Sequence, residues 1–281
     1  MTKILPNSAF LVVLLVSAFV FSSCKKNDRS NDTELLSSKD LSLALAGWND
    51  IFRQTEILAA AQPDLNTVPA PAVYTGNCTF VAVNPALPNT TFPKVFTMDY
   101  GYTNCQGPDG AYRRGQIIAT LSGKYRDSLT TISITLNNYF FNDNQISGTY
   151  IILNKGRNAA GHQCYAETVT NGKNIRLNSK PVSWSSKFTR EWIQGDTSGV
   201  VFDDVFLLSG NAFGTTSLLN NFTVTINTPL RFAMNCPWIQ SGSLYLNPSA
   251  LAPRFIDFGT GACDNQAAVW IAGDKSTLYL D

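Results

Sequence analysis

Beyond Gln116 the chain is built of short runs in which apolar and small polar side chains alternate, among them QIIATLSG, TISITLNNYFF, QISGTYIILN, NIRLN, VSWSSKFTREWI, NFTVTINTPLRF and AAVWIAG. Successive side chains of an extended strand point to opposite faces, so Ile132, Ile134 and Leu136 share one face of TISITLN while Ser and Thr occupy the other. A sheet with one dry and one wet face is antiparallel in most cases. Turn signals stand between the runs, at Asp109-Gly110, at Asn142-Asp143-Asn144, at Asn171-Gly172 and at Gly273-Asp274. The expected fold class is therefore all-β, an antiparallel sheet arranged as a meander or sandwich over residues 74–281.

One segment departs from this period. In DLSLALAGWNDIFRQTEILAAAQ, residues 40–62, Leu41, Leu45, Trp48, Phe52, Thr55 and Leu58 recur at helical spacing. Asp40 is placed to cap the start and Pro63 to stop the helix. The stripe predicts an amphipathic helix packed on the sheet by one face. Residues 63–73, PDLNTVPAPAV, read as an extended linker.

A second pattern is written twice. MDYGYTNC ends at Cys105 and IDFGTGAC ends at Cys263, each preceded by a cysteine 27 positions earlier, Cys78 and Cys236. In register, Asp99 falls on Asp257, Tyr100 on Phe258 and Gly101 on Gly259. Cysteine spacing with Asp, aromatic and Gly at one offset marks an internal repeat, with units around 78–123 and 236–281. The repeat selects the bridges Cys78–Cys105 and Cys236–Cys263 and leaves Cys164 unpaired. Each Asp follows an apolar strand and precedes an aromatic-Gly pair. Its expected role is to bind nearby backbone at a turn, with Gly supplying a conformation that other residues resist. Two isolated Asp residues lack the dense alternating oxygens of a calcium loop.

The first residues have the form of an export leader. Lys3 is followed by an uncharged apolar run from Ala9 to Phe21 and then by small residues before Cys24. Such a run is too short for the ~20 residues of a membrane-spanning helix. Ser22-Ser23-Cys24 resembles the lipobox of bacterial lipoproteins, which implies a signal peptide over 1–23 and acylation of Cys24. Acyl chains contribute about 0.8 kcal/mol per buried methylene, enough to hold a protein at a bilayer. Residues 24–39 are charged and almost free of apolar side chains, and read as a flexible tether. With a net charge of +1 and no basic block, nucleic acid is not an expected partner.

FTMDYGYTNCQGPDGAYRRGQIIATLSGKY, LRFAMNCPWIQSG and IDFGTGACDNQAAV together resemble a group of Bacteroidota lipoproteins. Lys25 and Lys26 before Asp28 are similar to that phylum's surface-export signal, and Asp127-Ser128-Leu129 to its O-glycosylation acceptor. The resemblance implies an all-β body anchored to the outer membrane, at the periplasmic face or the cell surface. It carries no activity, so no catalytic residue and no cofactor follow from it.

Three sets of residues are candidates for chemistry or binding. His162 and Cys164 lie two apart in GHQC, a spacing that brings them to one face of a strand, but zinc would need two further ligands and no metal site is expected. Glu191, Asp196, Asp203 and Asp204 could pair as the two carboxyls of a glycosidase-like hydrolase. Trp184 and Trp192, with Glu191 between them in WSSKFTREW, and Trp238 and Trp270 further on, could stack on sugar rings if exposed. The leading expectation is a non-enzymatic, lipid-anchored module that binds a glycan or an envelope protein, or serves as a structural subunit. The alternative is a periplasmic or surface hydrolase using the carboxylates near Glu191.

Overall fold

The computed structural model describes residues 29, 31–60, 78–86 and 89–280. Cys24, the leader and the linker at 63–73 lie outside the described residues. The described residues form one α-helix, one sheet and a short 3-10 helix at Val201–Asp203. Helix α1 spans Leu36–Ala60. The sheet has fourteen antiparallel strands. Its first half is β1 (Phe80–Asn84), β2 (Lys94–Asp99), β3 (Cys105–Gln106), β4 (Tyr112–Leu121), β5 (Thr131–Phe141), β6 (Asn144–Arg157) and β7 (Gln163–Ile175). Its second half is β8 (Val182–Gln194), β9 (Val205–Thr215), β10 (Asn221–Ala233), β11 (Ser241–Pro248), β12 (Arg254–Thr260), β13 (Gln266–Ile271) and β14 (Asp274–Tyr279). Each strand pairs with the next in the chain, except that β2 pairs with β4 while the short β3 attaches to β4. The expected all-β antiparallel class holds, as a meander in a single sheet and not a sandwich.

The sheet curls around the helix. Trp48 packs edge-on against Tyr150 of β6, and Phe52 against Phe206 of β9, while Gly47 lies against Ile146. On other faces, Asp50 reaches β4 and β5, Arg53 the carbonyls after β10, and Leu45 lies beside Phe258 and Leu280. Wrapping needs curvature, which bulges supply. Register shifts recur in each pairing from β4 to β8 and again in β9–β11. At Gly115 the backbone takes φ +82, and a Cβ there would fall 2.0 Å from the Asn138 carbonyl oxygen. Only glycine fits that crossing.

Three sequence expectations are corrected here. The helix begins at Leu36 and not at Asp40, because Glu34 accepts the Ser37 amide at 2.9 Å and its hydroxyl at 2.7 Å, satisfying an orphan donor of the first turn. Asp40, inside the helix and buried, instead accepts Arg176 at 2.6 Å and the Ser217 amide at 2.7 Å. The helix is not one-sided: Lys39 is exposed and Ala46 half-buried, while Asn49, Asp50, Arg53, Gln54 and Glu56 are as buried as the leucines. Finally, Asn171-Gly172 is a bulge within β7 and no turn; Asn171 takes φ 53 where Gly148 and Gly172 bring two backbones together. Asp109-Gly110 lies in a turn, and the signals at 142–144 and Gly273-Asp274 fall at turns over 142–143 and 272–273, with Asn144 and Asp274 opening the next strands.

Both repeated corners form. The bridges are Cys78–Cys105 and Cys236–Cys263, with Cα separations of 5.7 and 5.8 Å. Asp99 Oδ1 accepts the amide of Gly101 at 2.8 Å, and Asp257 Oδ1 that of Gly259 at 2.8 Å. The two glycines take φ +75 and +83, and Tyr100 and Phe258 turn into the core. Cys164 is free and half-buried.

Candidate binding groove

The residues singled out as WSSKFTREW do not form a platform. Alternation along β8 turns Trp184 and Trp192 inward, where each is 1% exposed. Trp184 packs with Phe188 and Phe222, Trp192 with Phe206. Glu191 points the other way, to the outer face, so the three cannot share a ligand. That face holds the His162 and Cys164 pair as well. His162 Nδ1 meets Glu191 Oε1 at 2.7 Å and Asn158 donates to the same oxygen at 2.8 Å, which holds the Glu191 carboxyl below its ordinary range. The Cys164 thiol is pushed up by burial and then by the Glu191 charge, the opposite of an activated nucleophile. Among the described residues no three His, Cys, Asp or Glu side chains group to hold a metal.

Of the four carboxylates, Asp203 and Asp204 both lie against Gly195 and Asp196 is near enough to act on Asp204, while Glu191 stands apart on the outer face. Asp196 pairs with Arg157 at 2.6 Å, and Asp203 accepts the Ser198 hydroxyl at 2.8 Å. Asp204 lies inside and accepts Trp192 Nε1 at 3.2 Å. Burial, and next the adjacent Asp203 charge, push its carboxyl up to about 7. Glu191 and Asp204 thus stand on opposite faces of β8, one bonded to His162 and the other to Trp192.

A concave site is found elsewhere, over the middle of α1, where the two ends of the curled sheet approach each other. A cavity of about 300 Å³ has Ala46, Asn49, Asp50 and Arg53 as its floor. One wall is Asp109–Ala111 with Phe141, and the other is Pro237, Trp238 and Leu280. A neighbouring cavity of about 270 Å³ shares Arg53, Asp109 and Pro237 and extends the groove along Gln54 and Ile57. The stretch Asp109–Ala111 lies shortly after Cys105, and Pro237 and Trp238 directly after Cys236.

The charged groups of its floor are bonded to one another and to nearby backbone. Arg113 donates through Nε to Asp50 at 3.1 Å and through Nη2 to Asp109 at 2.6 Å, and the Tyr139 hydroxyl donates to Asp50 at 2.5 Å. Burial alone would raise the Asp109 carboxyl, but the Arg113 hydrogen bonds outweigh it and hold the group low. Arg53 ends on backbone, donating to Cys236 O at 2.5 Å and Met234 O at 2.7 Å. Burial lowers its pKa, against the opposing pull of Asp50 and then Asp109. Two guanidiniums and two carboxylates in fixed positions give a neutral surface of oriented donors and acceptors. Such groups orient a ligand; a proton donor or acceptor for catalysis would need to be freer.

Comparison with protein-family models, with curated proteins and with solved structures finds no match for the chain. The groove therefore rests on its own geometry. Of its residues the sequence marks Trp238 alone as a candidate for binding, while Asp109, Gly110 and Asn142 stand out only as turn signals. Asn49, Asp50 and Arg53 occupy what looks, from periodicity, like the wet side of an amphipathic helix. Only the repeat offered a signal, since Asp109 and Pro237 flank its cysteines.

Proposed function

We propose that the protein is a lipid-anchored module of the bacterial cell envelope, held at the outer membrane through Cys24, that binds a hydroxyl-rich ligand, a glycan end, in the groove over α1. The anchor reading is supported by the leader and by Ser22-Ser23-Cys24. The binding reading is carried by one observation: apolar and aromatic walls, Phe141, Pro237, Trp238 and Leu280, over a rigid floor of charges that neutralise one another. Sugar rings present apolar faces to aromatic walls and hydroxyls to fixed polar groups, so this pairing of surfaces suits them. A floor without net charge favours a neutral glycan over an anionic one.

The test is a glycan array probed with the mature chain, followed by calorimetric titration of any hit with wild type and Trp238→Ala. We expect a neutral glycan whose affinity falls about tenfold in the variant, which corresponds to ~1.4 kcal/mol. An array without hits, or a hit bound equally by Trp238→Ala, overturns the reading.

A further inference from the structure

The N-terminal arm enters the body at one end of the sheet. Arg29 donates to Leu251 O at 3.1 Å and to Ser249 O at 2.7 Å, and Asp32 accepts the Ala252 amide at 2.8 Å and Arg254 at 2.7 Å. The arm is thus fastened to the turn between β11 and β12. The turns at 176–181 and 216–220 meet the start of α1, where Arg176 and Ser217 both bond Asp40, and the turn at 272–273 follows Ile271, the register partner of Arg254.

These turns carry apolar side chains into solvent. Leu177 is 84% exposed, Leu218 46% and Leu219 61%. One residue pair inside this end, on the outer face, Tyr245, Phe255 and Trp270 are register partners across β11–β13, with ring centroids 5.2 and 5.6 Å apart. Lys275 closes the row 5.1 Å from the Trp270 ring. Lys39 and Lys180 are also exposed here, against a single exposed carboxylate in the last turn, Asp274. Leucines at the tips, an aromatic row behind them and lysines around them are the order of side chains across a membrane interface, with apolar groups in the acyl boundary and cations at the headgroups.

We infer that this end of the sheet rests on a lipid bilayer, with Leu177, Leu218 and Leu219 in the headgroup–acyl boundary and the row Tyr245–Phe255–Trp270 at headgroup level. The orientation rests on the reading of Cys24 as the acylated residue. At about 3.5 Å per residue, the chain from Cys24 to Arg29 reaches at most ~18 Å. A lipid on Cys24 therefore keeps the β11–β12 turn, and the leucine-bearing turns beside it, at the bilayer. The opposite end, which exposes Val200, is held a strand length away.

The experiment uses the mature full chain reconstituted in phosphatidylethanolamine–phosphatidylglycerol vesicles, with Cys164→Ser and one added cysteine, Leu177→Cys or Val200→Cys, carrying a fluorophore. Quenching by lipid-borne quenchers is expected to be about twofold or more stronger at position 177 than at position 200. Equal quenching at the two positions overturns the docking face. Intact mass of the same preparation reads the acyl group independently. An unmodified Cys24 with the quenching contrast preserved removes the anchor and leaves the docking face standing; an acylated Cys24 without contrast does the reverse.

Discussion

Arg113 on β4 closes on Asp50 at the centre of α1, with the two side chains 2% and 3% exposed. This pair joins the buried polar side of the helix to the sheet and builds the groove floor. Removing one partner leaves an uncompensated charge in the interior, at a cost of about 3–5 kcal/mol. Asp50→Ala is expected to lower unfolding stability by that amount in urea titration. Asp50→Asn, which keeps an acceptor for Tyr139, should lose less. Equal stability of all three proteins would contradict the sealed geometry.

The two disulfide corners should respond alike. Cys236→Ser/Cys263→Ser is expected to cost about 3–4 kcal/mol, as is Cys78→Ser/Cys105→Ser. A finer comparison is Gly101→Ala against Gly259→Ala. A Cβ at either position meets nothing within 4 Å, so the whole cost is the left-handed backbone, roughly 1 kcal/mol each. Denaturation that separates the two glycines by more than that cost would show that the corners are not equivalent.

Asp204 gives the protein an alkaline weakness. Its folded pKa, about 7, lies above the ordinary 3.8, through burial first and Asp203 second, while Trp192 and Arg126 pull the other way. Glu56, buried in the same region, is raised as well, by burial and then by Asp204. A raised carboxyl contributes fully below the unfolded pKa and its contribution is lost as pH rises through the folded one. Asp204→Asn keeps the acceptor for Trp192 and should match wild type near pH 4 but exceed it by about 1–2 kcal/mol near pH 8.5. Thermal unfolding across this range measures the crossover.

Asp32 behaves oppositely. Burial would raise its carboxyl, but the amides of Glu34 and Ala252 and the Arg254 guanidinium more than compensate, so it titrates low. Its contribution is present above the unfolded pKa and is lost as pH falls through the folded value. Asp32→Ala is expected to speed amide exchange at Ala252 about tenfold at neutral pH, the equivalent of one hydrogen bond. Unchanged exchange there would mean that the arm is not fastened by this residue.

Loss of the Trp238 wall should separate binding from folding. Trp238 is half-buried at the groove edge, so Trp238→Ala is expected to weaken ligand binding about tenfold while costing less stability than Asp50→Ala. Calorimetric affinity and urea stability, measured on one preparation, give the two numbers to compare.

Much of this architecture follows from local rules. Period-two alternation depends on the pleat alone, so the antiparallel strands from β4 onward are legible in residues such as Ile132, Ile134 and Leu136. The disulfides and the Asp99 and Asp257 turns are legible because a repeat states the same local solution twice. What the chain could not state locally is which surfaces meet. Asp50, Arg53 and Glu56 follow the pattern of a solvated helix face, and are buried because curling brings sheet against most of the circumference of α1. Trp184 and Trp192 could have faced either way until the register of β8 against β7 and β9 turned them inward. The curl of a sheet is a sum over many bulges and registers, and that sum decided where the groove, the core and the free leucines lie.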